Sequence, residues 1–131
     1  MGTFSVTVTV AHPTEPGSSA RLDLLVDTGA TISFVPTEVL ANLGIAPRWP
    51  EREFETASGA VIRRRLGVAS LAVDGHETIT PVVFGEPGDA TVLGAVALES
   101  LGLIVDPIAR RLIPRRFLAL RIDHSCRVSP R

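Results

Sequence analysis

Lysine is missing from this chain altogether, and all thirteen basic residues are Arg. Schiff-base chemistry, the P-loop lysine and Ser–Lys catalysis are excluded together. Tyrosine is absent too, which removes a phenol as acid, base or nucleophile. Cys126 is the single cysteine, so neither an internal disulfide nor a cysteine zinc cluster can form, and its place near the C-terminus reads as a bystander thiol. His12, His76 and His124 are scattered at loop or turn positions without metal-ligand spacing. They read as surface residues, and no metal is expected.

Net charge and long apolar runs are also lacking. A formal charge of -1 gives no global field to attract nucleic acid or an anionic membrane, and aromatics at 5% offer few stacking partners for bases. Arg63, Arg64 and Arg65 therefore read as the charged outer face of a strand hairpin. No apolar run approaches membrane-spanning length, so no membrane partner is expected. The opening "MGTFSVTVTV" has neither the basic region nor the continuous apolar core of a signal peptide, and Val6 stands where myristoylation expects Ser or Thr. A cytoplasmic location is the expectation.

What is present is enough for one core. The 131 residues are 45% hydrophobic and 21% charged, a globular composition, and ten Pro with eleven Gly predict many turns. Phe4, Val6, Val8 and Val10 alternate with polar residues, the period of a half-buried strand. Ala20 to Val26 reads as a second strand, joined to the first across "HPTEPGSS" as a hairpin. Ile32 to Val35 predicts a short strand, and Thr37 N-caps a helix of about two turns that Gly44 stops. Arg52 to Thr56 and Ala60 to Leu66 flank the small tip Ala57-Ser58-Gly59, a projecting hairpin. Val68 to Val73 and Thr78 to Phe84 flank Asp74-Gly75, a strong two-residue turn signal. Thr91 to Leu93 reads as a strand, Ala95 to Leu101 as a helix ended by Gly102, and Leu103 to Val105 as a strand. The tail from Arg115 is the least readable segment, where Phe117, Leu118, Leu120 and Ile122 could pack or pair and the last residues look frayed. Many short strands with one or two short helices predict an all-β fold, a small closed barrel with a flap hairpin.

One stretch breaks the apolar pattern. In "LLVDTGATISFV" (Leu24 to Val35) a carboxylate ends an apolar strand and is followed by Thr28, Gly29 and Ala30. Burying a charge without a partner is costly, so Asp27 is the candidate functional group. Downstream, "TVLGAVALESLG" carries two apolar residues, Val92 and Leu93, and a Gly, Gly94, leading into a helix. The triplet, the second signature and the hairpin between them resemble, in order and spacing, the single-domain retroviral-type aspartic proteases, or retropepsins. The resemblance covers roughly Phe4 to Pro114. It divides the chain into a protease domain at 1–114 and a C-terminal extension at 115–131, which could supply a dimer-interface strand before a frayed tail.

The resemblance implies an endopeptidase in which two carboxylates share a proton and activate water. Such a chain carries one of the two, so it implies a homodimer with Asp27 from each copy. It implies no metal and no organic cofactor, and a peptide or protein substrate. Thr28 would hydrogen-bond across the two-fold axis, Gly29 would allow close approach, and Ala57, Ser58 and Gly59 would form the flap tip. Leu25, Ile32, Val83 and Val92 are the expected apolar pocket residues, by analogy. Relatives with Ser at the Ala30 position give the dyad an extra hydrogen bond that favours its charged form. Without that hydroxyl, activity should extend toward neutral pH. Many retropepsins also brace the dimer with an Asp–Arg pair at positions occupied here by Thr31 and Ala95, so neither partner is left as an orphan charge. The all-Arg composition and compact length suggest a bacterial member.

Other readings stand beside this one. The same triplet resembles that of phosphoryl-transfer enzymes with an Asp nucleophile, but those need a Lys and a magnesium-binding Asp cluster. Asp27 could simply cap a turn. Trp49, between two prolines, reads as a packing anchor under the flap. The main alternative is a non-catalytic peptide-binding or dimerisation module on the retropepsin fold, since fold does not fix function.

Overall fold

The computed structural model describes residues 3–119. Leu120, Ile122, His124 and Cys126 lie outside those residues, as does most of the expected C-terminal extension.

The alternating segment forms β1 (Ser5–Ala11), and β2 (Ser19–Val26) returns antiparallel to it with Ser5 opposite Leu25 and Ala11 opposite Ser19. Val8, Val10, Leu24 and Val26 point inward because strand side chains alternate, and they are buried. After the Asp27 loop come β3 (Ser33–Pro36) and α1 (Thr37–Asn42). Here the expected cap is corrected. Pro36 holds the N-cap position without a side-chain cap, while the Thr37 hydroxyl donates to the Gly85 carbonyl at 2.9 Å. That bond ties α1 to the end of the neighbouring strand instead of to its own amides.

The flap hairpin is β4 (Trp49–Glu55) and the first half of β5 (Val61–Val73), which then pairs with β6 (His76–Gly85) through the Asp74-Gly75 turn. The expected break between Leu66 and Val68 does not occur, and one thirteen-residue strand runs through it. The Phe84 ring occupies the space where a side chain at Gly67 would sit, only 2.7 Å from an ideal Cβ. The missing side chain admits that ring without breaking the strand. Trp49 is also corrected, being a residue of β4 itself opposite Leu66, with the Arg48 guanidinium over its ring at 5.6 Å.

The chain continues through β7 (Val92–Leu93), α2 (Ala95–Leu101), β8 (Leu103–Asp106) and β9 (Arg111–Pro114). Hydrogen-bonded neighbours run β1-β2-β7-β3-β6-β5, and β5 pairs back onto β1, so these strands close into a ring with β4 outside it. The all-β expectation holds. Leu40 of α1 and Ala97, Leu98 and Leu101 of α2 join the same core as Val35, Leu71, Val82 and Leu93. The β8–β9 hairpin forms a separate two-stranded sheet, and residues 115–119 are not strand. Its turn is not among the expected ones, although Asp106 gives it away by accepting from the Ile108 and Ala109 amides at 3.1 Å each.

Candidate active site

Asp27 sits one residue past the end of β2, where two loops lock together. β2 and β7 are parallel, with Leu25 opposite Val92 and Val26 opposite Leu93. The ladder extends to Asp27 itself, whose amide donates to the Leu93 carbonyl at 3.0 Å. On the far side of the loop, Ala95 and Val96 at the start of α2 donate their amides to the Ala30 and Thr31 carbonyls at 2.8 and 3.0 Å. The Gly94 amide donates to the buried Ser33 hydroxyl at 2.9 Å. The two signatures therefore form one hydrogen-bonded unit. Thr31 and Ala95, which lack the charged brace, are joined into it through this backbone pairing.

Gly94 is where the loops cross. A Cβ there would lie 2.8 Å from the Ala30 carbonyl oxygen and 2.9 Å from the Ile32 carbonyl carbon, closer than side-chain atoms approach backbone. Only glycine lets β7 pass this close. Nothing in the sequence singles out Ser33, and only the folded crossing reveals its role as the acceptor for the Gly94 amide.

The Asp27 carboxylate is half-buried and accepts from the Gly29 amide at 2.9 Å through Oδ1. A carboxylate has about four acceptor positions, and among the described residues the Gly29 amide is the one donor to it, while Asp27 borders the cleft. Thr28 is exposed, and its hydroxyl has no hydrogen-bond partner among the described residues of this chain.

Over Asp27 lies a cleft of about 940 Å³, lined by Ala30 and Ile32 from the loop, Phe34 from β3, Phe54, Ala57 and Ile62 from the flap hairpin, and Val92 from β7. Of the expected pocket residues, Ile32 and Val92 line it. Leu25, half-buried, and Val83, fully buried, do not line this single-chain cleft. Phe54 meets Phe34 edge to face, with centroids 5.6 Å apart, so the flap is anchored to the floor by a packed aromatic pair. At the tip, the Gly59 amide donates to the Thr56 carbonyl at 2.9 Å, and Gly59 has φ of +87°, a conformation that favours glycine. Ala57 lines the cleft, whereas Ser58 is held by the Thr56 hydroxyl at 3.0 Å.

The far wall is the loop after β6, and an ion pair holds it. Arg64 Nε and Nη2 donate to Asp89 Oδ2 and Oδ1 at 2.7 and 2.9 Å, and Asp89 Oδ2 also accepts from the Glu86 amide at 2.8 Å. The expectation that Arg64 shares the outer face with Arg63 and Arg65 is corrected. It points inward, because strand alternation places it with Ile62 and Leu66, while Arg63 pairs outside with Glu53 at 3.2 Å. The Arg64 hydrogen bonds, aided by the Glu86 amide, hold the Asp89 carboxyl below its usual range despite partial burial. A depressed folded value stabilises the protein above the unfolded carboxyl pKa, and the stabilisation is lost as pH falls through the folded value. Asp89→Asn should therefore cost about 1–2 kcal/mol at pH 7, with a gap that closes below about pH 4, where the unfolded carboxyl is protonated. Urea unfolding of both proteins at neutral and acidic pH measures this, and an equal gap at both would contradict it.

Strands of this ring, a carboxylate on interlocked loops and a flap over it define a chain with the retroviral protease architecture. A solved structure of that architecture, "EIAV protease complexed with the inhibitor HBY-793", matches with a TM-score of 0.52 at 20% identity, over 77% of this chain and 89% of that one. Residues 18–100 match the family described as "gag-polyprotein putative aspartyl protease". This chain belongs to that retropepsin-like family. No curated protein matches it by sequence.

Proposed function

We propose that the chain is an aspartic endopeptidase whose active site is completed by a second copy, Asp27 of each subunit forming a dyad that shares one proton. The observation that carries this reading is the placement of Asp27. It is fixed by the crossing of two loops at the floor of a cleft, with acceptor positions unused among the described residues and a flap hairpin overhead. In the reaction the ionised Asp27 takes a proton from water as the water attacks the scissile carbonyl carbon. The protonated Asp27 of the other copy donates to the carbonyl oxygen. The tetrahedral intermediate then collapses as the dyad protonates the leaving amine.

Dimerisation gives the exposed Thr28 hydroxyl its partner across the axis, consistent with its having none among the described residues of one chain. The substrate is an extended peptide, held by strand-like hydrogen bonds under β4 with apolar side chains against Ile32, Phe34, Phe54 and Val92. Leu25 and Val83 remain proposed pocket residues, to be reached in the assembled dimer. Asp27 and its partner supply the proton transfers without a metal.

A fluorogenic peptide library tests the class of chemistry. Cleavage should persist in chelator, and a peptide bearing a hydroxyl-substituted tetrahedral carbon in place of the scissile carbonyl should bind about 10²-fold or more tighter than the substrate. Dimeric protein that binds peptides and cleaves none would favour the binding-module reading.

A further inference from the structure

The inner face of the flap carries two arginines, and the fold treats them differently. Arg52 on β4 lies directly opposite Arg64 on β5, and the next inward pair is Phe54 opposite Ile62. Like charges placed opposite one another on a sheet repel, so each needs a counter-charge. Arg64 has one, its guanidinium being taken up by both Asp89 oxygens, with Glu86 at 3.7 Å. Arg52 has no ion-pair partner among the described residues, is exposed, and lines the same cleft as Asp27.

The carboxylates nearby do not cancel it. Glu51 and Glu53 pair with Arg63 on the outer face, at 3.7 and 3.2 Å. Glu53 and Glu55 also border the cleft, but alternation sets both side chains on the face opposite Arg52, Glu55 lying across from Val61, which is 60% exposed. Asp89 is committed to Arg64. Among the described residues, Arg52 is thus the cation on the inner face of the flap without an ion-pair partner, beside the apolar Phe54 and Ile62.

We propose that Arg52 is a specificity-determining residue that selects peptides carrying an acidic side chain a few residues from the bond to be cut. The inference rests on the peptidase reading for its substrate class and goes beyond it in naming the charge. With that bond under the flap tip, Arg52 lies roughly 20 Å back along the strand. Allowing for the reach of two long side chains, the acid falls about four positions from the bond. A guanidinium grips a carboxylate with two parallel hydrogen bonds, which an amide of the same shape cannot reproduce. Glu against Gln is therefore the discriminating comparison.

The test uses fluorogenic peptides in which one Glu is moved through each position flanking the scissile bond, each matched by a Gln counterpart. The full chain should prefer the Glu member at one position by about three- to tenfold in kcat/KM at low salt, expressed mainly in KM and shrinking as salt screens the exposed pair. Arg52→Gln should erase that preference, and Arg52→Glu should reverse it toward a Lys peptide. Equal treatment of every pair by the unmodified chain would overturn the proposal, as would Arg52→Gln protein that keeps the Glu preference. The same pairs titrated by fluorescence polarisation against Asp27→Asn protein separate the two readings. Tighter, Arg52-dependent binding of the Glu peptide supports selection by charge even where no peptide is cut by the unmodified chain, a result that would count against the peptidase alone.

Discussion

Asp27→Asn should reduce peptide hydrolysis by about 10³-fold or more while leaving the fold and the oligomeric state intact. The Asn side chain is close in size, and its oxygen can still accept from the Gly29 amide that holds Asp27 Oδ1 at 2.9 Å. The loop position is also independent of the carboxylate, because the Asp27 amide and the Ala95 and Val96 amides fix it through backbone carbonyls. What Asn cannot do is take a proton from water. Loss of rate with an unchanged unfolding midpoint would therefore locate the chemistry at this group. Retention of rate would exclude Asp27 as the base.

Gly94→Ala should damage both stability and rate. Its Cβ would fall 2.8 Å from the Ala30 oxygen and 2.9 Å from the Ile32 carbon, both backbone atoms with no rotamer to yield. Relief requires moving the loops apart, and that strains the Ala95-to-Ala30 and Val96-to-Thr31 hydrogen bonds that hold Asp27 in place. Overpacking of this kind costs about 1–3 kcal/mol. A displacement at the reacting group of about 1 Å can cost on the order of 10²-fold in rate. Urea unfolding and peptide kinetics read the two effects separately. A Gly94→Ala protein as stable and active as the parent would mean that the loops are not tightly crossed.

Much of this arrangement is legible before folding because it depends on local patterns. The alternation from Phe4 to Val10, the turn at Asp74-Gly75 and the helix from Ala95 ended by Gly102 all express preferences that tertiary contacts reinforce. Asp27 stands out because a carboxylate ending an apolar strand is costly without a purpose. The misses share another origin. Thr37 has the chemistry of a cap, yet its hydroxyl serves a carbonyl 48 positions away at Gly85. Gly67 resembles a break, yet a distant ring fills its empty side. Arg64 reads with its neighbours as one charged run, although the period-two rule already separates it from Arg63 and Arg65. Its partner Asp89 is 25 positions on, and nothing in the sequence pairs the two. Half of the proposed catalytic centre is invisible in any single copy, since the second carboxylate is the same residue in another chain.

That last point is the central claim, and subunit mixing tests it most directly. Unmodified and Asp27→Asn chains are combined in equal amounts, allowed to exchange, and assayed at the total concentration used for the unmodified protein alone. If each active site needs Asp27 from both subunits, random pairing leaves about one quarter of the dimers active, and the rate falls to about one quarter. A rate of about one half would show that each chain works alone, and about three quarters that one Asp27 per dimer suffices; either would contradict the shared dyad.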